Sequence, residues 1–410
     1  MDQTFEFFVG VDWATTEHQV CLLDAQGQIL GEHAFAHSGA GLAEFCGWLL
    51  KLGKDEKRIA VAIEVPHGAV VETLLERGFA VHAINPKQLD RFRDRFTVAG
   101  AKDDRRDAYV LADSLRTDGH CFRRLQVESE PIIELREWSR MAEDLQQERN
   151  RLTNRMREHL RRYFPAFLDL AEDPGEEAAM QIWELAPTPA AAANTTKSHV
   201  AAILKKTRIR RFDAEHVLTV LSQEPVKVAG GTTAAAVAHI TLLIARVRLV
   251  NQQIRTCRTE LQQRIDRMAE DVPPGQEREQ RDVAIIHSMP GIGLIVLATL
   301  LAEAASLLRA RDYQALRSLA GVAPITRRSG KKLVVVMRQA CHDRLRNAIY
   351  HWARVAMQHD PIAKDRYKAL RARGKSHGQA LRSVGDRLLG VLCAMLRDQT
   401  DYRMPEVKAA

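Results

Sequence analysis

An α/β domain, then long helices, then a basic and mainly helical domain is the fold class that this chain of 410 residues predicts. Three observations carry it. Up to about residue 118 short apolar runs of β type alternate with helical periodicities. Residues 131–164 and 232–269 hold apolar stripes at three-, four- and seven-residue steps. Beyond Val283 the periodicity is helical and cations gather.

In chain order, Phe5–Asp12, Gln19–Leu23 and Ile29–Phe35 read as a three-strand meander, with Asp24-Ala25-Gln26-Gly27 as the tight turn before the third. Leu42–Leu52 reads as a helix. Arg58–Val65 is a near-continuous apolar strand of the kind buried on both faces. Ala69–Arg77 is helical, Phe79–Ile84 a fifth strand, Lys87–Arg95 a basic helix and Asp104–Arg116 a further helix. Three meander strands, helix, strand, helix, strand, helix is the order of the ribonuclease-H-like fold, in which strands one and four are neighbours, and a generic α/β domain shares that order.

From Leu135 to Leu160 the apolar residues keep one helical face, and Ile240, Ile244, Val247, Ile254, Leu261 and Ile265 do the same in the second long helix. Such helices pair as coiled coils. Pro187–Thr196 and a basic segment lie between them, and Pro273-Pro274-Gly275 marks the exit. The expected domains are 1–125, 126–280 and 281–410.

A hydrophobic share of 46% supports two or three packed units and excludes a wholly disordered chain. Six cysteines with no C-x-x-C pair exclude a zinc knuckle and a disulfide scaffold. No apolar run reaches 18 residues and the start has no basic, apolar leader, so a cytoplasmic protein outside the membrane is expected; the best apolar stretch, Gly293–Ala305, is broken by Glu303. The net charge of +8 is modest and gains meaning only where it clusters.

Asp12 closes the first strand and Glu64 the fourth, so the inferred fold sets them side by side. Asp104 and Asp107, at i and i+3, share one face of a helix's first turn, although Asp103 is an equally placed neighbour. Four clustered carboxylates need a counter-cation, and an all-oxygen set selects Mg²⁺ or Mn²⁺. Two such ions can clamp the attacking and leaving oxygens of a phosphoryl transfer. Taken singly, each acid reads as a cap or a surface residue.

In the third part, Met289-Pro290-Gly291-Ile292-Gly293 before Leu294–Leu301 has the form of a helix-hairpin-helix, whose amides approach a phosphate. Arg327-Arg328-Ser329-Gly330-Lys331-Lys332 sets one hydroxyl among four cations. That serine can bind phosphate, sit in a solvated turn or attack phosphorus, and composition alone favours the turn. A second basic patch comprises Lys205, Lys206, Arg208, Arg210 and Arg211. The cations from Arg338 to Arg387 have sparse aromatic company, Tyr350, Trp352 and Tyr367, which favours phosphate tracking over base stacking there.

Gly10-Val11-Asp12, Glu64, Lys102 with Asp104 and Asp107, Pro290-Gly291-Ile292-Gly293, Leu319–Pro324 and Arg328-Ser329-Gly330-Lys331 together resemble the insertion sequence one-ten family, the bridge-RNA-guided DEDD recombinases. The resemblance spans nearly the whole chain. It implies a RuvC-like first domain, a coiled-coil middle and a C-terminal transposase domain. It further implies Mg²⁺ on Asp12, Glu64, Asp104 and Asp107, and Ser329 as the nucleophile of a phosphoserine link to DNA. A homotetramer holding a structured noncoding RNA, with donor and target DNA, belongs to the same implication. Where many members carry Gly-x-Ser-Lys-x-Gly after the serine, this chain has Val336–His342. Two other readings stay open: a junction nuclease that uses water, and a non-enzymatic scaffold for nucleic acid.

Overall fold

A computed structural model describes residues 5–95, 103–270, 277–330 and 332–403. Lys102, Lys331 and the Pro273-Pro274-Gly275 exit lie outside the described residues. The chain divides into two compact units, Met1–Ser129 and Glu130–Ala410, so the boundary expected near 280 falls within the second.

In the first unit β1 (Phe7–Asp12), β2 (Glu17–Asp24) and β3 (Ile29–Ala36) form the antiparallel meander. Then come α1 (Gly39–Gly53), β4 (Ile59–Ile63), α2 (Ala69–Glu76), β5 (Ala80–Ala83), α3 (Pro86–Arg93), α4 (Asp104–Asp118) and β6 (Arg123–Arg124). The sheet order is β3-β2-β1-β4-β5-β6, with β1, β4 and β5 parallel and β6 antiparallel at the edge. The two-residue edge strand β6 is too short to leave a sequence signal.

Both faces of the sheet are covered, which is why β4 is buried at every position. On one face Val9, Val11, Val61 and Ile63 meet Phe45 and Leu49 of α1 and Leu74 of α2. On the other, Ala60 and Ala62 meet Val110, Leu111 and Leu115 of α4. The residues facing α4 are small for a reason: a Cβ on Gly10 would stand 1.9 Å from the Ala108 carbonyl oxygen. The helix thus lies almost against β1. It runs opposite to the strand, since Ala108 and Ala112 cover Gly10 while Arg116 reaches Ala25 in the turn beyond β2.

The second unit opens with α5 (Glu130–Tyr163), followed by α6 (Glu177–Leu185), α7 (Pro189–Ala193), α8 (Lys197–Thr207), α9 (Ala214–Leu221) and α10 (Gly230–Glu270). The region between the two long helices, read from sequence as a helix-poor stretch and a basic segment, is therefore itself helical. α5 and α10 pair within the chain and antiparallel: Arg264 meets Glu134 at 3.1 Å, and Arg149 meets Asn251 at 2.6 Å. Among the described residues α10, not Gly293–Ala305, is the helix long and apolar enough by composition to cross a membrane. Its apolar stripe is instead spent in the core, with Ile240, Ile244 and Val247 packed beside Leu152, Met156 and Leu160.

The rest comprises α11 (Glu277–Ser288), α12 (Leu294–Glu303), α13 (Ala305–Arg309), α14 (Tyr313–Leu319), the hairpin β7 (Ile325–Ser329) and β8 (Lys332–Val336), then α15 (Asp343–His359), α16 (Pro361–Ala372) and α17 (His377–Asp398). Trp352, Leu345, Leu389 and Leu392 anchor its core, to which the far ends of α5 and α10 contribute Leu135 and Leu261. All six cysteines are free; Cys21, Cys46, Cys257 and Cys393 are buried, while Cys121 and Cys341 are partly exposed.

Candidate active site

β1 ends at Asp12, and the register Val11↔Ile63 brings Glu64, the residue after β4, to the same sheet end. Because α4 runs against β1, its first turn delivers Asp104 and Asp107 there too. Asp103 is otherwise engaged: it is the N-cap of α4 and its carboxylate accepts the Arg105 amide. The electrostatics show the convergence. Burial pushes the Asp12 carboxyl up to about 6, and the charges of Asp107, Asp104 and Glu64 push the same way against the opposing pull of Arg93.

Arg93, the last residue of α3, was not singled out in the sequence. Its Nε and Nη2 donate to the two oxygens of Asp107 at 2.8 and 3.0 Å, its Nη1 to Asp90 at 2.6 Å, and its Nη2 lies 3.9 Å from Glu64. Asp107 is 6% exposed, so this bidentate pair is sheltered from water. Among the described residues no three Asp, Glu, His or Cys side chains already stand as a metal-ligating group. The donor chemistry nevertheless fits a hard divalent ion: four carboxylates converge, all oxygen, with one guanidinium among them.

A second feature missed in the sequence fixes the chain just beyond Asp12. The Ala14 amide donates to Nδ1 of the fully buried His18 at 3.3 Å, so His18 Nε2 carries the proton and donates to His37 Nδ1 at 2.8 Å. Burial, then His37, holds His18 below the usual imidazole range. Trp13 packs over both rings. Their spacing of 19 residues hides this pairing from any local pattern.

Ser329 belongs to the other unit. It ends β7 and pairs with Lys332 across the turn, exposed beside the exposed Arg327 and Arg328. Composition alone favours a solvated turn at Ser329 and gives no strand; Leu333-Val334-Val335-Val336 is the β-type run that announces the hairpin. Leu333 and Val335 of β8 are exposed.

The glycine turn divides in two. Gly291, at φ +82°, faces inward, where a Cβ would stand 2.5 Å from the Ala356 amide nitrogen of α15, and Trp352 Nε1 donates to the Pro290 carbonyl at 3.0 Å. Packing therefore accounts for Gly291. Gly293 is the exposed N-cap of α12, with open space around it. In the middle patch Arg211 is held by Glu176 at 2.7 Å, while Lys205, Lys206, Arg208 and Arg210 are exposed.

Residues 9–165 match a DEDD family model of IS110 described as "Transposase", and residues 283–368 match one described as "Transposase IS116/IS110/IS902 family". The mini-circle transposase for IS117 of Streptomyces coelicolor is 34% identical over 98% of this chain and 96% of its own length. The chain belongs to the IS110 family of transposases. The transposase y4uE of Sinorhizobium fredii is 59% identical over 50% of this chain, a stretch covering 58% of that protein. A 42 kDa protein of the insertion element IS900 of Mycobacterium paratuberculosis is 27% identical over 98% of both chains. In this IS110-family transposase the first match contains the whole carboxylate cluster and the second contains Ser329; α6 to α9 fall between them.

Proposed function

We propose that this IS110-family transposase cuts and rejoins DNA strands with Ser329 as nucleophile and a divalent metal, Mg²⁺ or Mn²⁺, held by Asp12, Glu64, Asp104 and Asp107. The observation that carries the reading is that the ends of β1 and β4 and the first turn of α4 bring Asp12, Glu64, Asp104 and Asp107 to one end of the sheet. The sheet order, an antiparallel meander followed by the parallel β4 and β5, supports reading the first unit as a ribonuclease-H-like, RuvC-like domain. When bound, the metal supplies positive charge for the oxygens of a phosphodiester in reaction.

The chain's own groups do the rest. Ser329 Oγ gives up its proton and forms an ester bond to phosphorus as the bond from phosphorus to the leaving sugar oxygen breaks, and that oxygen takes a proton. Rejoining reverses the step with a new strand's hydroxyl, so the phosphoserine conserves the bond. Arg327, Arg328, Lys331 and Lys332 stand beside the nucleophile in sequence and hold phosphate, with Gly293 at an open helix N-terminus. Lys205, Lys206, Arg208, Arg210 and Arg211 form the second nucleic-acid surface, which we assign to the structured guide RNA of a tetramer. Target choice then rests with base pairing.

A denaturing gel of flank DNA incubated with protein, Mg²⁺ and flank-derived transcripts tests this. Wild type gives a protease-sensitive adduct that Ser329→Ala abolishes, and omitting the transcripts removes it from wild type. One observation favours a second reading: the carboxylates come together wholly within the first unit, as a water-using nuclease requires. Equal cleavage by both proteins with free ends and no adduct establishes that reading instead.

A further inference from the structure

Four acids at one sheet end are stable without metal only if something else supplies positive charge, and Arg93 supplies it. We propose that Arg93 is the resident counter-cation of the acidic cluster, and that guanidinium and divalent ion are alternative occupants of one site. The inference rests on the reading of that cluster as a metal centre.

The geometry argues for exclusion rather than sharing. The planar fork of Arg93 spans both oxygens of Asp107, at 2.8 and 3.0 Å, and leans to within 3.9 Å of Glu64. A divalent ion ligated by the same carboxylate meets a like charge at contact distance. Arginine does not deprotonate, so it yields by moving. A place to go is already built: Asp90, one turn back on α3, is 64% exposed on its side chain and already accepts Nη1 at 2.6 Å. A rotation of the side chain leaves the guanidinium on Asp90 at the solvent side and frees Asp107 and Glu64.

In the resting protein Arg93 thus holds Asp107, and among the described residues no three side chains stand in ligating positions. Metal affinity is then set by the competition with an internal cation as well as by the ligands themselves. A ligand favours whichever state it binds better, so affinity rises when that competitor is removed.

The test reads metal binding and stability on the full chain, without turnover. Free Mn²⁺ is titrated by electron paramagnetic resonance against wild type, Arg93→Gln, Arg93→Lys and Asp12→Asn, and melting temperatures are taken in EDTA and in Mn²⁺. Arg93→Gln is expected to bind Mn²⁺ at least about tenfold more tightly than wild type. It should melt below wild type in EDTA and regain the deficit in Mn²⁺. Arg93→Lys keeps the charge but loses the fork, and binds a few-fold more tightly; it carries the test if the glutamine variant does not fold. Binding by Arg93→Gln no tighter than wild type, with the same melting deficit in EDTA and in Mn²⁺, makes Arg93 a structural ion pair and overturns the proposal. Absence of measurable Mn²⁺ binding in wild type, Arg93→Gln and Asp12→Asn alike removes the metal reading beneath it. Loss confined to Asp12→Asn leaves that reading standing, and Arg93 is judged by the other two variants.

Discussion

Asp12 carries an ionisation that its neighbours oppose. Its folded-state pKa of about 6 stands above the ordinary 3.8, so the proton favours the fold. This stabilising contribution is complete below about pH 4 and is lost as pH rises through about 6. In EDTA, Asp12→Asn should therefore melt above wild type at pH 7.5 and lose that advantage by pH 4.5; a melting difference independent of pH refutes the assignment. The same substitution should lower strand transfer at least about a hundredfold, if the carboxylate carries the charge balance of the reaction. The positions of Asp12 and Glu64 at strand ends and of Asp104 and Asp107 in a helix's first turn were legible, because an apolar strand or a helix N-terminus places each. Asp103 and Asp104 are indistinguishable in sequence, and only the cap bond to the Arg105 amide separates them. Arg93 left no mark, since one more cation on a basic helix looks solvated until α4 is folded against it.

Elements, more than single residues, deliver the site. α4 brings its first turn to Asp12 because Gly10 lets it lie on β1. Gly10→Ala sets a methyl 1.9 Å from a backbone oxygen, so helix and strand must part. Overpacking of that kind costs about 1–3 kcal/mol, and the variant should lose Mn²⁺ binding along with stability in urea unfolding. Retained binding at wild-type affinity shows that the helix position is not what assembles the cluster. The five principal strands and the paired long helices were readable because period and burial agree over many residues. The hairpin bearing Ser329 and the helices α6 to α9 were not. The first breaks a helical region with only five-residue strands, and the second are short helices whose apolar faces are completed by α5 and α10 rather than by their own sequence.

For the whole molecule, each unit has its own interior. Val9, Val61, Phe45 and Leu74 close a core made only from the first 129 residues. A fragment of residues 1–129 should therefore unfold cooperatively on its own and bind Mn²⁺; a fragment without a thermal transition shows that the second unit is needed to fold the first. The second unit holds two cores strung along one helix pair, Leu152 and Ile244 in one and Leu135 and Leu261 in the other, so α5 and α10 act as its common spine.

The distribution of thiols has a practical side. An alkylating reagent attacks the thiolate, and burial pushes the Cys21 thiol up to about 12 and that of Cys393 to about 11, with Cys46 and Cys257 raised in the same way. Cys121 and Cys341 remain accessible, one in each unit. The native chain thus offers one accessible thiol in each unit for labelling without any engineered cysteine.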